Sequence, residues 1–440
     1  MKSYFSVCSS KLFWIKETLM HRGLNEAWKK CMAVEEGSQA ELERLREAKL
    51  ARVLRHAATT VPFYRDYFAS KGIDVDKVKL ADFPIIEKKD IRGNEKQFVS
   101  TANGMPRISW DSTSGSTGEP FRFGRSEFTY TYATLWRGML RFGIRPGDKR
   151  VLVKGVDITP QVSLKTRLRR WAYGQINHCI NVDAHFLSRS DENVVRELKR
   201  IIAYGPKYLH GYANSIYVLA RTAEQKGIDL AKLKVKAVVT ESEKCHDFQR
   251  EVMERVFKAP VVENYGCVEL GMIAQPAPDG KLCINDDHVF VEALPDGEAL
   301  LTNLDEYGFP LIRYKNGDLL KLGARHGLLP YGTIAKLDGR SAESIILPSG
   351  ASLQGYLVMY PVYLHSKYIK SYQIFQPDVH HLFLRYVPTD VKMPDSALQQ
   401  IRRDMLQLIG AGVTFEIVAV QTIPLTKRGK HAFVCSNVGR

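Results

Sequence analysis

The chain has 440 residues, enough for two or three units around one or more apolar cores, and 45% hydrophobic with 25% charged residues is a globular balance. No stretch reaches the ~18 uninterrupted apolar residues of a membrane span, and Lys11 and Lys16 interrupt the apolar start, which argues against a signal peptide. A formal charge of +15 points to anionic partners without choosing among polyphosphates, an acidic membrane surface and nucleic acid, and seven scattered cysteines without zinc spacing indicate neither a disulfide framework nor a structural metal.

Taken in chain order, residues 24–58 alternate charged residues with Leu, Ala and Val and predict one long helix. It ends before Pro62, because a proline disfavours helical geometry in the residue preceding it. Short apolar runs between 149 and 181, such as Arg150-Val151-Leu152-Val153, predict buried strands. Helices follow over 191–203 and 213–227, a strand over 235–240, a helix over 247–257 and a strand over 260–264. This alternation predicts an α/β fold with a largely parallel, layered sheet. After about residue 277, shorter strands and Gly/Asp turns predict a β-rich, more antiparallel section. Strands over 382–387 and 413–420 around a helix over 396–409 predict a small α+β unit. The expected organisation is a large α/β domain over 1–342 with a β-rich subdomain, then a small, mobile α+β domain over 343–440.

Five segments carry candidate chemistry. In Asp111-Ser112-Thr113-Ser114-Gly115-Ser116-Thr117-Gly118-Glu119-Pro120, glycines let backbone N–H groups converge and hydroxyls add donors, as a polyphosphate loop requires. It lacks the Gly-Lys-Ser/Thr of the common nucleoside-triphosphate loop, and a flexible Ser/Gly linker is the other reading. Glu263-Asn264-Tyr265-Gly266-Cys267-Val268-Glu269-Leu270-Gly271 leads a strand through a Tyr-Gly turn to a carboxylate. An aromatic there can pack on a purine and Glu269 can hold Mg²⁺; a buried tyrosine and a surface glutamate are the bland alternative. Asp318, in Arg313-Tyr314-Lys315-Asn316-Gly317-Asp318, could accept from ribose hydroxyls, or the segment could be an ordinary hairpin turn. Leu337-Asp338-Gly339-Arg340-Ser341-Ala342-Glu343 suits a hinge, with Arg340 near phosphate or ribose. Near the C-terminus, Lys430 follows Gly429 in a basic loop that could deliver a point charge to a phosphoryl centre or lie in solvent.

In this order the five segments resemble the adenylate-forming superfamily, and within it the phenylacetate–CoA ligase-like group that includes the CapK proteins of capsule gene clusters. Residues 113–120 look like the family's Ser/Thr/Gly loop, Tyr265-Gly266 with Glu269 its Tyr-Gly-x-x-Glu, and Arg313-Tyr314 with Gly317-Asp318 its Arg-Tyr-x-x-Gly-Asp. Gly339-Arg340 resembles its hinge and Gly429-Lys430 its terminal lysine; Val61-Pro62-Phe63-Tyr64, His210-Gly211-Tyr212 and Thr240-Glu241-Ser242-Glu243 extend the match over nearly the whole chain. Departures are Glu343 where the family hinge carries aspartate, the cysteine-free Gly327-Leu328-Leu329-Pro330-Tyr331-Gly332, and His431 after the lysine.

The resemblance implies a cytoplasmic ligase, with peripheral contact at the inner membrane face open to it. It would activate a small-molecule carboxylic acid with ATP and Mg²⁺, then pass the acyl group to coenzyme A or another acceptor, in aryl-acid or polysaccharide metabolism. Thr113, Ser114, Gly115, Ser116, Thr117 and Gly118 would hold phosphates, with Thr117 also catalytic. Glu243, Asn264, Tyr265, Gly266, Asp318 and Arg340 would bind the nucleotide, Glu269 the magnesium, and Lys430 the transition state. His210, Tyr212 and Gly271 would line the acid pocket. The alternative is a non-catalytic nucleotide- or acyl-binding relative acting as regulator or scaffold. A nucleic-acid role rests only on charge and on Lys165-Thr166-Arg167-Leu168-Arg169-Arg170-Trp171, without any recognition signature, so no nucleic-acid partner is expected.

Overall fold

Five short strands, rich in β-branched residues, form an all-parallel sheet in the order Cys179–Asp183, Arg150–Lys154, Tyr208–Gly211, Ala237–Thr240, Val261–Glu263. The structure is a computed structural model that describes residues 8–20, 23–113, 121–126, 129–155, 168, 172, 174–187, 190–340, 344–426 and 430–438. The basic stretch at 165–170, Leu168 apart, and the hinge residues 341–343 lie outside them.

Alternate residues of the parallel strands face opposite ways. Val151, Val153, Leu209, Val238 and Val261 pack with the helices Asp191–Tyr204, Ala213–Gln225 and Asp247–Phe257. Tyr208, Ala237, Val239 and Val262 pack with Trp28 of the helix Leu24–Glu36 and with Tyr130 and Trp136 of the helix Thr129–Leu140. Both faces are therefore covered, as an all-parallel sheet requires. The expected α/β layering is present, and it leaves the carboxyl ends of the strands as the edge where ligands of such sheets bind.

Through Asn264 the last parallel strand runs straight into Tyr265–Cys267, the edge of a seven-stranded sheet. Its further strands, in spatial order, are Gly271–Pro276, Leu282–Ile284, Thr333–Arg340, Tyr314–Leu322, Glu298–Asn303 and Val289–Ala293, all antiparallel. This is the β-rich section expected after residue 277, although it begins earlier, at Tyr265. A separate hairpin, Ser109–Thr113 with Phe121–Arg125, frames the Ser/Thr/Gly loop.

The long helix expected over 24–58 is two helices, Leu24–Glu36 and Gln39–Thr60. Gly37 and Ser38 break it: Ser38 and Glu41 form a reciprocal capping box that satisfies the free N–H groups of the second helix. Pro62 opens the next helix, Pro62–Lys71, at the position where a missing N–H costs nothing.

The C-terminal sheet has the order Thr414–Ala419, His381–Pro388, Ile369–Asp378, Val434–Ser436, with the helix Asp395–Ile409 packed in its core. An aromatic cluster joins it to the parallel-sheet layer: Phe248 meets Tyr217 at 5.5 Å, Tyr363 at 5.0 Å and Phe433 at 6.2 Å. Arg221 adds hydrogen bonds to the carbonyl groups of Ser366 (3.0 Å) and Ile369.

Candidate active site

Thr113 ends one strand of the framing hairpin; Ser114, Gly115, Ser116, Thr117 and Gly118 lie outside the described residues. The hairpin's base is fixed against the Tyr-Gly segment. Arg125 pairs with Asp111 at 2.6 Å and donates to the Val268 carbonyl at 3.3 Å. Phe121, one residue beyond the loop, stacks on Tyr314 at 6.3 Å. The Tyr314 hydroxyl donates to Glu269 Oε1 at 3.3 Å, and Lys88 Nζ lies 3.8 Å from the same oxygen. Glu269 is thus buried at the downstream end of the Ser/Thr/Gly loop, not on the surface.

Tyr265 is also buried, and its hydroxyl donates to Asp318 Oδ2 at 2.9 Å. Asn316 Nδ2 donates to the same oxygen at 2.5 Å. Asn316-Gly317-Asp318 is not a hairpin turn. It lies inside the strand Tyr314–Leu322, where the pairing register shifts between Glu298 and Leu300, and Gly317 takes φ +86° in that irregularity. Leu337–Arg340, expected in a hinge, continues this ladder instead, and it sets Arg340 directly opposite Asp318. Two residues assigned to the ribose therefore share one register position from opposite strands.

Gly266 and Gly271 allow the close approach of the Tyr-Gly hairpin. A Cβ on Gly266 would meet the Gly271 carbonyl oxygen at 2.5 Å, and one on Gly271, at φ +80°, would meet Thr131 Cγ2 at 2.4 Å. Asn264, between the two sheets, is buried with neither amide atom partnered among the described residues.

Toward the carboxyl ends of three adjacent strands sits an ionisable trio. Glu241 receives an ion pair from Lys154 and lies 2.8 Å from His210 Nε2. Burial alone would raise the Glu241 carboxyl, but His210 and Lys154 hold it well below the usual range; burial depresses the His210 imidazole and keeps it neutral. Of this trio the sequence assigns a site role only to His210; Glu241 stands in the segment 240–243 without one. Lys154 and Glu241 follow apolar strands as ordinary surface charges would, and only the register of the sheet brings them together.

Glu243 Oε1 accepts from the Asn214 backbone N–H at 2.7 Å, so this carboxylate caps the helix Ala213–Gln225. Between Glu241 and Glu243, Ser242 adopts φ +71°. Its carbonyl accepts from Lys430 Nζ at 2.8 Å, and the ammonium stands 5.9 Å from the ring of Tyr212. Lys430, assigned to the transition state, thus reaches from the C-terminal sheet to the edge of the parallel sheet.

This combination defines the class: an adenylate-forming ligase fold. The same architecture occurs in 2-hydroxyisobutyryl-CoA ligase. In its postadenylation state with 2-HIB-AMP the TM-score is 0.69, at 19% identity with 92% of each chain covered. With the same ligase in the thioesterification state the TM-score is 0.54, at 20% identity with 92% of this chain and 91% of that one covered. Among curated proteins, the chain is 23% identical over 392 residues to Protein CapK of Staphylococcus aureus, covering 86% of this chain and 85% of that one. It is 28% identical over 342 residues to phenylacetate-coenzyme A ligase of Aromatoleum evansii, covering 71% and 74%. No family model matches the chain. The chain is thus similar over most of its length to CapK and to phenylacetate–CoA ligases, on the fold of an adenylate-forming ligase.

Proposed function

We propose that the chain is an ATP-dependent acid–CoA ligase that works through an acyl-adenylate. The observation that carries this reading is the reach of Lys430 to Ser242 beside Tyr212, on the strand-end edge that also leads to Tyr265, Asp318 and Glu269. In the first step a carboxylate oxygen attacks the α-phosphorus of ATP. The bond to the bridging oxygen of the β-phosphate breaks, and pyrophosphate leaves with that electron pair. In the second step a thiolate sulfur attacks the acyl carbon, and AMP leaves as its C–O bond breaks.

The chain's own residues position these steps. Asp318 and Arg340 would take the ribose, Tyr265 would flank the base, and the unpartnered amide of Asn264 supplies a donor and an acceptor suited to a purine edge. Lys430 would place positive charge where the phosphoryl oxygens gain negative charge. The better agreement with the postadenylation state than with the thioesterification state supports a chain arranged for adenylate chemistry, with a large domain over 1–342 and a lid over 343–440. Among the described residues no helix is long and apolar enough to cross a membrane.

Mg²⁺ would arrive with ATP, held largely by phosphate oxygens. Glu269 would hold it through one carboxylate, and the bound ion would neutralise phosphate charge. Glu269→Gln is accordingly expected to raise the Mg²⁺ concentration for half-maximal exchange several-fold; an unchanged Mg²⁺ dependence removes Glu269 from the metal. The test of the whole reading is ATP–pyrophosphate exchange across aryl, fatty, amino and sugar acids: acid-dependent exchange establishes it, and ATP binding without exchange by any acid counts against it.

A further inference from the structure

From the buried His210, set between Glu241 and Tyr212, we infer that the acid activated here carries a hydrogen-bond donor, a hydroxyl or an amino group, from which His210 Nδ1 accepts. This inference rests on the ligase reading above. His210 is only 6% exposed, and its Nδ1 has no hydrogen-bond partner among the described residues. Its other nitrogen lies 2.8 Å from Glu241 Oε2, an ion-pair distance without hydrogen-bond alignment. An ionised carboxylate can only accept, and its negative charge beside Nε2 favours the ring's single proton on that nitrogen, which leaves the lone pair on Nδ1. Lys154 fixes the far side of the same carboxylate, which sets the orientation of the ring.

A buried acceptor without a donor is costly, and an apolar pocket would have no use for one. The location makes the acceptor functional. His210 lies one residue before the end of a parallel strand at Gly211; Tyr212 beyond it faces the ammonium of Lys430, and Glu241 adjoins the Ser242 carbonyl that this ammonium touches. A carboxylate brought to Lys430 would carry its neighbouring carbons toward this edge. A phenylacetate-like acid would bury Nδ1 unsatisfied, whereas a hydroxy or amino acid satisfies it. Lys154 and Glu241 then act as positioning residues.

The experiment is ATP–pyrophosphate exchange by the full chain with matched pairs: 2- and 3-hydroxy acids and 2- and 3-amino acids, each against the partner lacking that group, with phenylacetate as apolar reference. One donor-bearing acid is expected to exceed its partner in kcat/KM by about 10–100-fold, and the responding arm tells oxygen from nitrogen. His210→Leu is expected to bring that ratio near one, and His210→Gln, which keeps an acceptor, to restore part of it. ATP titration of each variant reports that the fold is intact. Exchange with phenylacetate or the partner acids at least equal to the donor-bearing ones overturns the inference and leaves the ligase reading standing. A ratio untouched by His210→Leu in a folded variant also overturns it. No exchange with any acid overturns both.

Discussion

Lys430→Ala is expected to slow acyl-adenylate formation by about 10²–10³-fold while ATP affinity changes little. The lysine is delivered by a loop pinned on both sides. Thr426 N–H donates to the Lys430 carbonyl at 2.9 Å, and the Lys430 N–H donates to Thr426 Oγ1 at 3.0 Å. Next in sequence, His431 is buried with Nε2 2.8 Å from the Tyr372 carbonyl oxygen and its ring 4.4 Å from Phe433. Burial pulls this imidazole down to about 4, so the anchor stays neutral near pH 7 and its hold on the loop does not titrate there. His431, which departs from the family pattern, therefore has a structural task that a charged residue at this buried position would not suit. The side chain of Lys430 meets the Ser242 carbonyl and the ring of Tyr212 at the edge of the parallel sheet and is not part of the core, so its removal deletes a charge there without disturbing the packing. Exchange assays and ATP titrations on the same preparation check this. An equal loss of both assigns Lys430 to nucleotide binding instead of the transition state. Lys430→Arg should rescue poorly, because a planar guanidinium does not occupy the place of a compact ammonium.

How much of this was legible in the sequence depends on the range of the interaction. The helix Asp191–Tyr204 shows itself locally: Ser190 caps its start, Gly205 closes its end, and its apolar residues recur at helical spacing. The break at Gly37-Ser38 was equally local, since Ser38 and Glu41 carry the capping-box spacing, but the strong periodicity on either side masked it. Asp318 and Arg340 could be singled out as motif residues, yet their opposition is a fact of ladder register, across a bulge that no local pattern specifies. Lys154, His210 and Glu241 are separated by long helical crossovers. Each lies within a residue of the end of a different strand, so their meeting requires the order of the parallel sheet. Chemistry assembled at strand ends is the part a linear reading loses.

Asp287→Ala is expected to destabilise the protein by about 3–5 kcal/mol, the largest stability effect of any single substitution considered. Asp287 and Arg137 are fully buried and pair bidentately, with both contacts at 2.8 Å. Arg137 also donates to Asn285 Oδ1 at 2.8 Å and to the Cys31 carbonyl at 3.2 Å, and Tyr130 donates to Asp287 Oδ2 at 2.5 Å. The pair thereby ties the helices Leu24–Glu36 and Thr129–Leu140 to the turn that precedes the strand Val289–Ala293. Removing the carboxylate leaves the buried guanidinium with only Glu35, 3.7 Å from its Nε, as counter-charge, whereas replacing both partners by apolar residues of similar volume should cost much less. Burial alone would raise the Asp287 carboxyl, but Arg137 holds it well below its ordinary 3.8. Because the folded value is depressed, the stabilisation is present above the unfolded value and is lost as pH falls below about 3.8 toward the folded one. Denaturant unfolding of the wild type, Asp287→Ala and the apolar double variant, at pH 7 and in acid, checks both points. The consequence reaches the active site, because Thr131 on the same helix packs against Gly271 and sits 2.8 Å from His288. Loosening that helix should raise KM for the acid before the global fold is lost, and unchanged kinetics in a destabilised Asp287→Ala would show that the hairpin bearing Tyr265 is held independently.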